Sequence, residues 1–210
     1  MAEYKVAVIP GDGVGLEVID EGRKALEAVA GVTDGLSFQF TEFPWGSEFY
    51  RATGKLMPDD GIETLKGFDT ILFGAVGDPD IPDHITLHGL LLPMRRSFDQ
   101  GVCIRPAYLY PGVESPLSGK KAGDIDMVIF RENTEGEYAP VGGRLYPGTA
   151  HETVVQTNMF TRWGTERIIR AAFEFCVRRN KGNKVTSLPL IHISEPTRRY
   201  ASPYAVFCLK

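Results

Sequence analysis

Three arginines stand in or beside apolar runs in the middle of the chain: Arg95, Arg105 and Arg131. A guanidinium group stays charged, so its burial without a counterion is costly and it usually has an anionic partner. Because its planar fork matches a carboxylate bidentately, three arginines from separate elements could converge on one small di-acid. The alternative is that each arginine pairs with a nearby aspartate or glutamate, and spacing alone does not decide between the two.

A carboxylate-rich loop follows Arg131 directly. Residues 132–137 read ENTEGE and are followed by Tyr138. Tyr138 would supply a proton donor beside the arginine cluster. Glu132, Glu135 and Glu137 shape the loop or bind a cofactor, or they are simply solvated or paired charges. The stretch from Arg95 to Tyr138 is therefore the candidate site of the chain.

Two glycine-containing loops follow predicted buried strands near the N-terminus. Residues 11–15 read GDGVG, and residues 74–77 read GAVG. The first loop fails the dinucleotide fingerprint G-x-G-x-x-G because its third glycine would fall at Leu16, and it lacks the lysine and hydroxyl of a P-loop. Ligands of parallel α/β sheets bind beyond the carboxyl ends of the strands, where both loops would lie. The glycines therefore indicate tight turns that let the backbone approach a ligand.

The first hundred residues alternate between predicted strands and helices, which favours an α/β domain with parallel pairing. Strands are predicted at residues 5–9, 37–43 and 70–73, with a helix from Pro58 through Leu65 and another that carries Arg95. A further helix follows the first glycine loop, and its apolar face is predicted at Val18, Ala25, Leu26 and Val29. Prolines and glycines at residues 106–116 mark a connecting segment, so we expect one domain at 1–100 and a second at 101–187.

The second domain is predicted to begin with a buried strand at residues 126–130. From residue 138 to 160 glycines alternate with β-forming residues, which predicts a ribbon of short antiparallel strands. Such a ribbon cannot cover its own edges, so we expect it to pair with another subunit. An amphipathic helix follows, and its apolar face is predicted from Ile168, Ile169, Ala172, Phe173, Cys176 and Val177.

The composition disfavours several classes of protein. A formal charge of −4 argues against a nucleic-acid surface, and no apolar run approaches the roughly eighteen residues needed to span a membrane. The N-terminus lacks the apolar core of a signal peptide. The three cysteines are far apart and show no metal-type spacing, so we expect reduced thiols in a cytoplasmic protein with no metal ligands in this chain.

Several motifs resemble the signatures of one enzyme family. Residues 95–100 (RRSFDQ), 104–106 (IRP) and 131–138 (RENTEGEY) look like those of the β-decarboxylating 2-hydroxyacid dehydrogenases, and residues 9–15 (IPGDGVG) match the N-terminal motif of that family. The family includes isopropylmalate, isocitrate, tartrate and D-malate dehydrogenases. The resemblance covers about residues 4–187. It implies an isopropylmalate dehydrogenase-like two-domain fold, which is α/β and non-Rossmann.

The resemblance also implies an activity and its residues. The family oxidises a 2-hydroxy acid with NAD and then removes the β-carboxylate, while Mg²⁺ or Mn²⁺ polarises the hydroxyl oxygen. By analogy Arg95, Arg105 and Arg131 bind the substrate carboxylates, and Tyr138 is the catalytic acid that protonates the enolate. The ribbon at about 138–160 becomes the arm of a homodimer. The cofactor-binding residues expected on the two glycine loops are Gly13, Gly74, Ala75, Val76 and Gly77.

The helix before Arg95 sets substrate choice in this family. Isocitrate enzymes place a serine and an asparagine where this chain has Gly89 and Leu91, so isocitrate is disfavoured, while Leu91 alone would suit isopropylmalate. Residues 83–89 (DHITLHG) and 97–100 (SFDQ) look more like D-malate and tartrate dehydrogenases. Those relatives usually have tryptophan in place of His88 and asparagine in place of Cys103. His88 would contact substrate or nicotinamide, or it is a partly exposed structural histidine.

We therefore expect an oxidative decarboxylase of D-malate or tartrate. The alternatives are an isopropylmalate dehydrogenase, or a non-catalytic protein that binds a dicarboxylate or its own dimer partner. A panel of substrates would separate the two enzymes.

The resemblance ends near Ser187, where the family continues towards a proton-transfer lysine. Residues 188–198 (LPLIHISEPTR) and 204–210 (YAVFCLK) instead look like a translated sequencing-library adapter. We expect 188–210 to be a non-native tail on the N-terminal part of a longer enzyme. The lysine, the metal-binding aspartates and most of the adenine-binding loop would then lie in the missing half. The chain alone is expected to be inactive and marginally stable, with exposed strand edges.

Overall fold

The computed structural model describes residues 2–136, 139–181, 184–188 and 206–209. The chain divides into two compact units, Met1–Phe98 and Asp99–Lys210. Among the described residues, no helix is both long enough and apolar enough to span a bilayer. Tyr138 and Glu137, two residues of the predicted site, lie outside the described residues.

The first unit is built on a parallel three-stranded sheet. Its strands are β1 (Ala2–Gly11), β2 (Leu36–Glu42) and β3 (Thr70–Ala75), in the order β2-β1-β3. Both pairings are parallel, as the sequence predicts. Because β1 is central, its residues Val6–Ile9 are almost fully buried between helices on the two faces. The carboxyl ends of all three strands therefore meet at one edge of the sheet.

Three helices connect these strands: α1 (Val14–Val32), α2 (Ser47–Thr53) and α3 (Gly61–Leu65). The helix predicted from Pro58 begins three residues later, at Gly61, after a turn closed by the Gly61 amide donating to the Pro58 carbonyl. The predicted apolar face of α1 is wrong in part. Val18 and Val29 are 56% and 49% exposed, whereas Ile19 is buried at 3% against the sheet. Helix α1 carries two apolar stripes, and the sheet covers the one around Ile19.

Residues 83–97 form a helical stretch with an unusual turn in its middle. It consists of α4 (Asp83–Thr86), a π-helical turn (Leu87–Leu91) and α5 (Leu92–Ser97). Pro93 explains the wide turn, because proline has no N–H to donate and its ring would clash with the carbonyl of Gly89 in a regular α-helix. The Leu92 amide instead donates to the carbonyl of Leu87, five residues earlier.

The second unit contains a four-stranded antiparallel sheet with the order β4-β5-β9-β8. Its strands are β4 (Val102–Tyr108), β5 (Asp126–Glu132), β8 (Val185–Leu188) and β9 (Val206–Leu209). Helix α6 (Arg162–Arg179) covers one face of this sheet, where Val128 and Phe130 pack against Ile168 and Ala172. Residues 206–209, in the segment predicted to be a non-native tail, pair between β5 and β8.

Helix α6 begins after Thr161, whose hydroxyl oxygen caps the helix by accepting the Gly164 amide at 3.0 Å. The prediction of its apolar face needs a correction. The buried face consists of Gly164, Ile168, Ala172 and Cys176 at intervals of four residues. Phe173 and Val177, assigned to that face from the sequence, are 54% and 73% exposed.

The predicted antiparallel ribbon is confirmed as one hairpin of β6 (Gly142–Leu145) and β7 (Thr153–Gln156). All eight of its strand residues are exposed. A two-stranded hairpin with both faces open gains little from burial, so packing against another surface would stabilise it.

Candidate functional site

Two of the three predicted site arginines share one face of the β4–β5 pair. In the antiparallel register Cys103 lies opposite Arg131, and Arg105 lies opposite Ile129. Directly opposed residues point to the same side, as do residues two apart along a strand. Arg105 and Arg131 are therefore diagonal neighbours on the face opposite to helix α6. Arg105 is exposed and Arg131 is half-buried.

The connecting segment predicted at residues 106–116 begins later in the structure. Strand β4, which carries Arg105, continues through Pro106 to Tyr108. Strand β4 lies at the edge of its sheet, where a proline costs no ladder hydrogen bond if its nitrogen faces outward. Arg105 thus stands on a rigid strand and not in a connecting loop.

Arg131 is oriented by the residue two positions further on. Its Nη2 atom donates to Oδ1 of Asn133 at 2.7 Å. Asn133 is 5% exposed and is itself anchored, because its side-chain amide donates to the Gln100 carbonyl at 3.3 Å and its backbone amide donates to the Gly101 carbonyl at 3.1 Å. The direction of the Arg131 side chain is therefore linked to the segment that leads into β4.

The Glu132 carboxylate accepts hydrogen bonds from the next residues of the loop that follows β5. It accepts the Thr134 hydroxyl at 2.7 Å and the Glu135 amide at 2.7 Å. The Thr134 amide adds a third hydrogen bond at 3.0 Å. Because these donors occupy the carboxylate oxygens, Glu132 shapes the loop, which is one of the alternatives drawn from the sequence.

Glu135 ties the same loop to the start of helix α6. Its carboxylate accepts both the backbone amide and the hydroxyl of Thr161, and it is 7% exposed. A Cβ atom on Gly164 would overlap this carboxylate, so the close approach requires glycine there. A negative charge at a helix N-terminus is favourable, because the orphan amides carry a partial positive charge. Glu135 therefore has a structural role as well.

Arg167 is a residue of this site that sequence reasoning missed. From helix α6 it reaches Asp99 at 2.7 Å, Thr134 Oγ1 at 3.1 Å and Glu132 at 3.4 Å. Its guanidinium also lies 4.0 Å from the ring centre of Trp163. Arg167 gave only a weak signal in the sequence. It directly precedes Ile168 on the apolar face of α6, which places Arg167 at the boundary of that face.

The two glycine loops of the first unit meet at the carboxyl edge of its sheet. The Asp12 amide donates to the Ala75 carbonyl at 2.6 Å. A Cβ atom on Gly74 would overlap the Pro10 carbonyl, and one on Gly15 would lie 2.6 Å from the Ala75 nitrogen. Gly74 and Ala75 belong to strand β3 and not to the predicted loop. These glycines let β1, α1 and β3 pack closely, which is a structural role.

Gly13 and Gly77 are different, because both stand in open space and have φ angles of +52° and +149°. Nothing lies within 4 Å of a Cβ atom added at either glycine, and both stand at the edge where parallel sheets bind ligands. Asp12, which sequence reasoning did not single out, organises this edge. Its carboxylate accepts the Gly77 amide at 2.9 Å and the Ser47 amide and hydroxyl at 2.7 Å each. The cofactor-binding roles of Gly13, Gly74, Ala75, half-buried Val76 and Gly77 stay predictions.

The predicted specificity residues lie on the π-helical turn. His88 is exposed and Leu91 is half-buried. Gly89 lines an open cavity of about 390 Å³ together with Tyr50, Leu56, Met57 and Ile85. A Cβ atom on Gly89 would lie 2.6 Å from Cδ1 of Leu56, so a larger residue would displace that buried leucine.

Arg95 lies half-buried in the last turn of α5, in the first unit. Its convergence with Arg105 and Arg131 stays a prediction.

A metal centre does not fit the described part of the chain. Within it, no group of three or more histidine, cysteine, aspartate or glutamate side chains is arranged to hold a metal ion.

Comparison with known proteins identifies the family. The chain belongs to the isocitrate/isopropylmalate dehydrogenase family, whose family model matches residues 5–200. This confirms the resemblance and the fold class predicted from the sequence. The match runs past residue 188, and the non-native origin of the segment 188–210 stays a prediction.

Two curated relatives are about half identical to this chain. It is 52% identical over 181 residues to D-malate dehydrogenase [decarboxylating] of Escherichia coli, covering 85% of this chain and 50% of that protein. It is 51% identical over 180 residues to tartrate dehydrogenase/decarboxylase of Pseudomonas putida, covering 85% and 49%. The chain thus spans about half the length of the curated relatives it matches.

Solved structures give the same result at lower identity. Isocitrate dehydrogenase from Methylococcus capsulatus superposes with a TM-score of 0.65 at 25% identity, covering 85% of this chain and 49% of that one. A beta-decarboxylating dehydrogenase from Thermococcus kodakarensis gives a TM-score of 0.54 at 31% identity, covering 85% and 47%.

Proposed function

We propose that the chain is the N-terminal part of an NAD-dependent and divalent-metal-dependent oxidative decarboxylase of D-malate or tartrate. The observation that carries this proposal is the pair of arginines on one open face of β4 and β5. A small dicarboxylate presents two anions, and diagonal neighbours on a strand pair lie about 7–8 Å apart at Cα. Two arginine side chains that start from neighbouring positions on one face could each bind one carboxylate of such a ligand. The half-identical relatives, named for D-malate and tartrate, support the same substrate class.

Each residue has a stated role in the proposed reaction. Arg105 and Arg131, with Arg95, bind and orient the substrate carboxylates. Gly13 and the loop ending at Gly77 would hold the nicotinamide end of NAD, which would supply a hydride acceptor for the oxidation of the substrate. Tyr138 gives a proton to the carbon that loses its carboxylate. The Mg²⁺ or Mn²⁺ of the family supplies a Lewis acid, with ligands in the half of the enzyme that this chain does not contain.

The π-helical turn supports a small substrate. Gly89 lies against Leu56, so a serine as in isocitrate enzymes does not fit there without rearrangement. Leu91 presents an apolar surface, and that observation keeps isopropylmalate as the second candidate substrate. We further propose a cytoplasmic homodimer, with the β6–β7 hairpin as its arm.

The test begins with the encoding DNA, read from its source past the codon for Ser187. We expect a continuation with a lysine-bearing strand and metal-type aspartates. The extended protein should form NADH from D-malate or tartrate with Mg²⁺ or Mn²⁺, and it should turn over isopropylmalate more slowly. The 210-residue chain should form none. A continuation without these residues, together with dicarboxylate binding by the chain, would establish the non-catalytic alternative.

Tyr138 has its own test in the extended protein. Replacing Tyr138 by Phe removes the acidic hydroxyl while keeping the ring, so turnover should fall more than substrate affinity. An unchanged kcat would remove Tyr138 from the acid role.

A further inference from the structure

We infer that Arg167 is a positioning residue of the dicarboxylate site, which holds the loop that follows Arg131 without contacting the substrate itself. The inference rests on the proposed function in naming the ligand. Its structural part depends only on contacts within the second unit.

Arg167 joins three separate parts of that unit. Its Nη1 atom bonds Asp99 at the start of the unit, and its Nη2 atom bonds Thr134 and Glu132 in the loop after β5. The Arg167 and Glu132 side chains are only 19% and 15% exposed, whereas that of Asp99 is 63% exposed. The contacts of Arg167 with Glu132 and Thr134 are therefore better shielded from water than its ion pair with Asp99. Arg167 therefore fixes where the loop leaves β5.

The contacts of Arg167 are linked to Arg131 through two residues of the loop, Glu132 and Asn133. Glu132, which Arg167 bonds, is the chain neighbour of Arg131 and organises the turn through Thr134 and Glu135. Asn133, which receives the Arg131 hydrogen bond, lies inside that same turn. Movement of Glu132 would therefore carry Asn133 and the Arg131 guanidinium with it.

Gly101, in the segment that leads into β4, lies directly against the Arg167 guanidinium. A Cβ atom at residue 101 would overlap the Arg167 guanidinium, which occupies the space that this atom would need. Trp163 covers the guanidinium from another direction at 4.0 Å. Arginine suits this site better than lysine, because only a planar group with several donors can stack on Trp163 and bond Asp99 and Glu132 together.

The experiment compares Arg167→Lys with Arg170→Lys in the 210-residue chain. Arg170 is an exposed residue of the same helix, so it controls for the change of residue type. Amide hydrogen exchange at Thr134 and Glu135 reports the turn, and titration with D-malate and tartrate reports binding. In Arg167→Lys we expect exchange at these amides to accelerate about tenfold and dicarboxylate affinity to fall about tenfold.

A double-mutant cycle protects the test against a general loss of stability. Gly101→Ala should weaken dicarboxylate binding in the unaltered chain, because the added methyl displaces the guanidinium. In an Arg167→Ala chain the same change should have no further effect. Equal effects of Gly101→Ala in both backgrounds, or equal exchange rates in Arg167→Lys and Arg170→Lys, would overturn the inference. If the unaltered chain binds neither dicarboxylate, the proposed function fails while the exchange rates still decide the role of Arg167.

Discussion

Arg105 and Arg131 lie diagonally across two antiparallel strands, on the sheet face that helix α6 leaves uncovered. Because both strands belong to one ladder, the spacing of the two Cα atoms is set by backbone geometry and not by flexible loops. A site on rigid strands selects ligands by the separation of their charges. This relationship gives the first prediction.

Replacing Arg105 or Arg131 by Leu should weaken D-malate binding at least tenfold, because a lost charge-assisted hydrogen bond contributes about 1.5–3 kcal/mol. In the extended enzyme the same changes should raise KM or abolish turnover while NAD affinity stays nearly constant. Isothermal titration of each variant measures the effect, and Arg178→Leu, at an exposed position on α6, is the matched control. Unchanged affinity in both variants would make these arginines structural ion-pair partners.

Replacing Gly74 by Ala should destabilise the first unit by about 1–3 kcal/mol, as expected for overpacking against atoms that cannot move aside. The new methyl group would meet the Pro10 and Gly15 carbonyls, which are both backbone groups. The free energy of unfolding in urea measures the loss. Gly22→Ala is the control, since nothing lies within 4 Å of its added Cβ and it stands inside helix α1. That change should stabilise the chain by about 0.5–1 kcal/mol.

Asp126 gives a prediction for pH. The hydrogen bond from Lys181, together with the positive charges of Arg179 and Lys181, lowers the pKa of the Asp126 carboxyl from its ordinary value of 3.8. The ionised form is therefore favoured in the folded chain, so its contribution is present above pH 3.8 and is lost as the pH falls through the lowered pKa.

Asp126→Asn should accordingly be less stable than the unaltered chain at neutral pH, and the difference should shrink below pH 3.8. Urea unfolding of both chains at a series of pH values measures it. Asp124→Asn, two residues earlier, is the control. A stability difference that does not vary with pH would show that the charge of Asp126 is not responsible.

The β6–β7 hairpin gives a prediction for assembly. Leu145 and Val154 are 60% and 62% exposed, and the hairpin has no cover on either face among the described residues. If the hairpin is a dimer arm, Leu145→Lys with Val154→Lys should shift the chain from dimer towards monomer in sedimentation velocity. Val177→Lys removes a similarly exposed apolar residue on α6 and should leave the dimer intact. A monomeric unaltered chain would contradict the proposed homodimer.

Much of the fold could be predicted because its signals are local. The predicted strands at residues 5–9 and 70–73 and the glycines after them are sufficient to place the parallel sheet. The errors arose where burial depends on distant partners. Val18 and Ile19 are equally apolar, and only the position of the sheet decides that Ile19 is covered. Pro106 suggested the end of a strand, but an edge strand accommodates it.

The site was predictable to a smaller extent for the same reason. Arginines at apolar runs are visible in the sequence, and so are their family motifs. Asp12 and Arg167 were missed because their partners are distant along the chain: Ser47 is 35 residues from Asp12, and Asp99 is 68 residues from Arg167. A polar residue that organises distant segments has no periodicity by which to recognise it.

Strand β9 occupies the place between β5 and β8, with Phe207 opposite both Phe130 and Ser187. The hydrogen bonds of such a ladder come from main-chain groups, so they place few demands on side-chain identity. We therefore expect that another short strand could replace the four residues 206–209. A chain ending at residue 188 should accept a short synthetic peptide in trans at the same position, which would make the second unit a host for split-protein complementation.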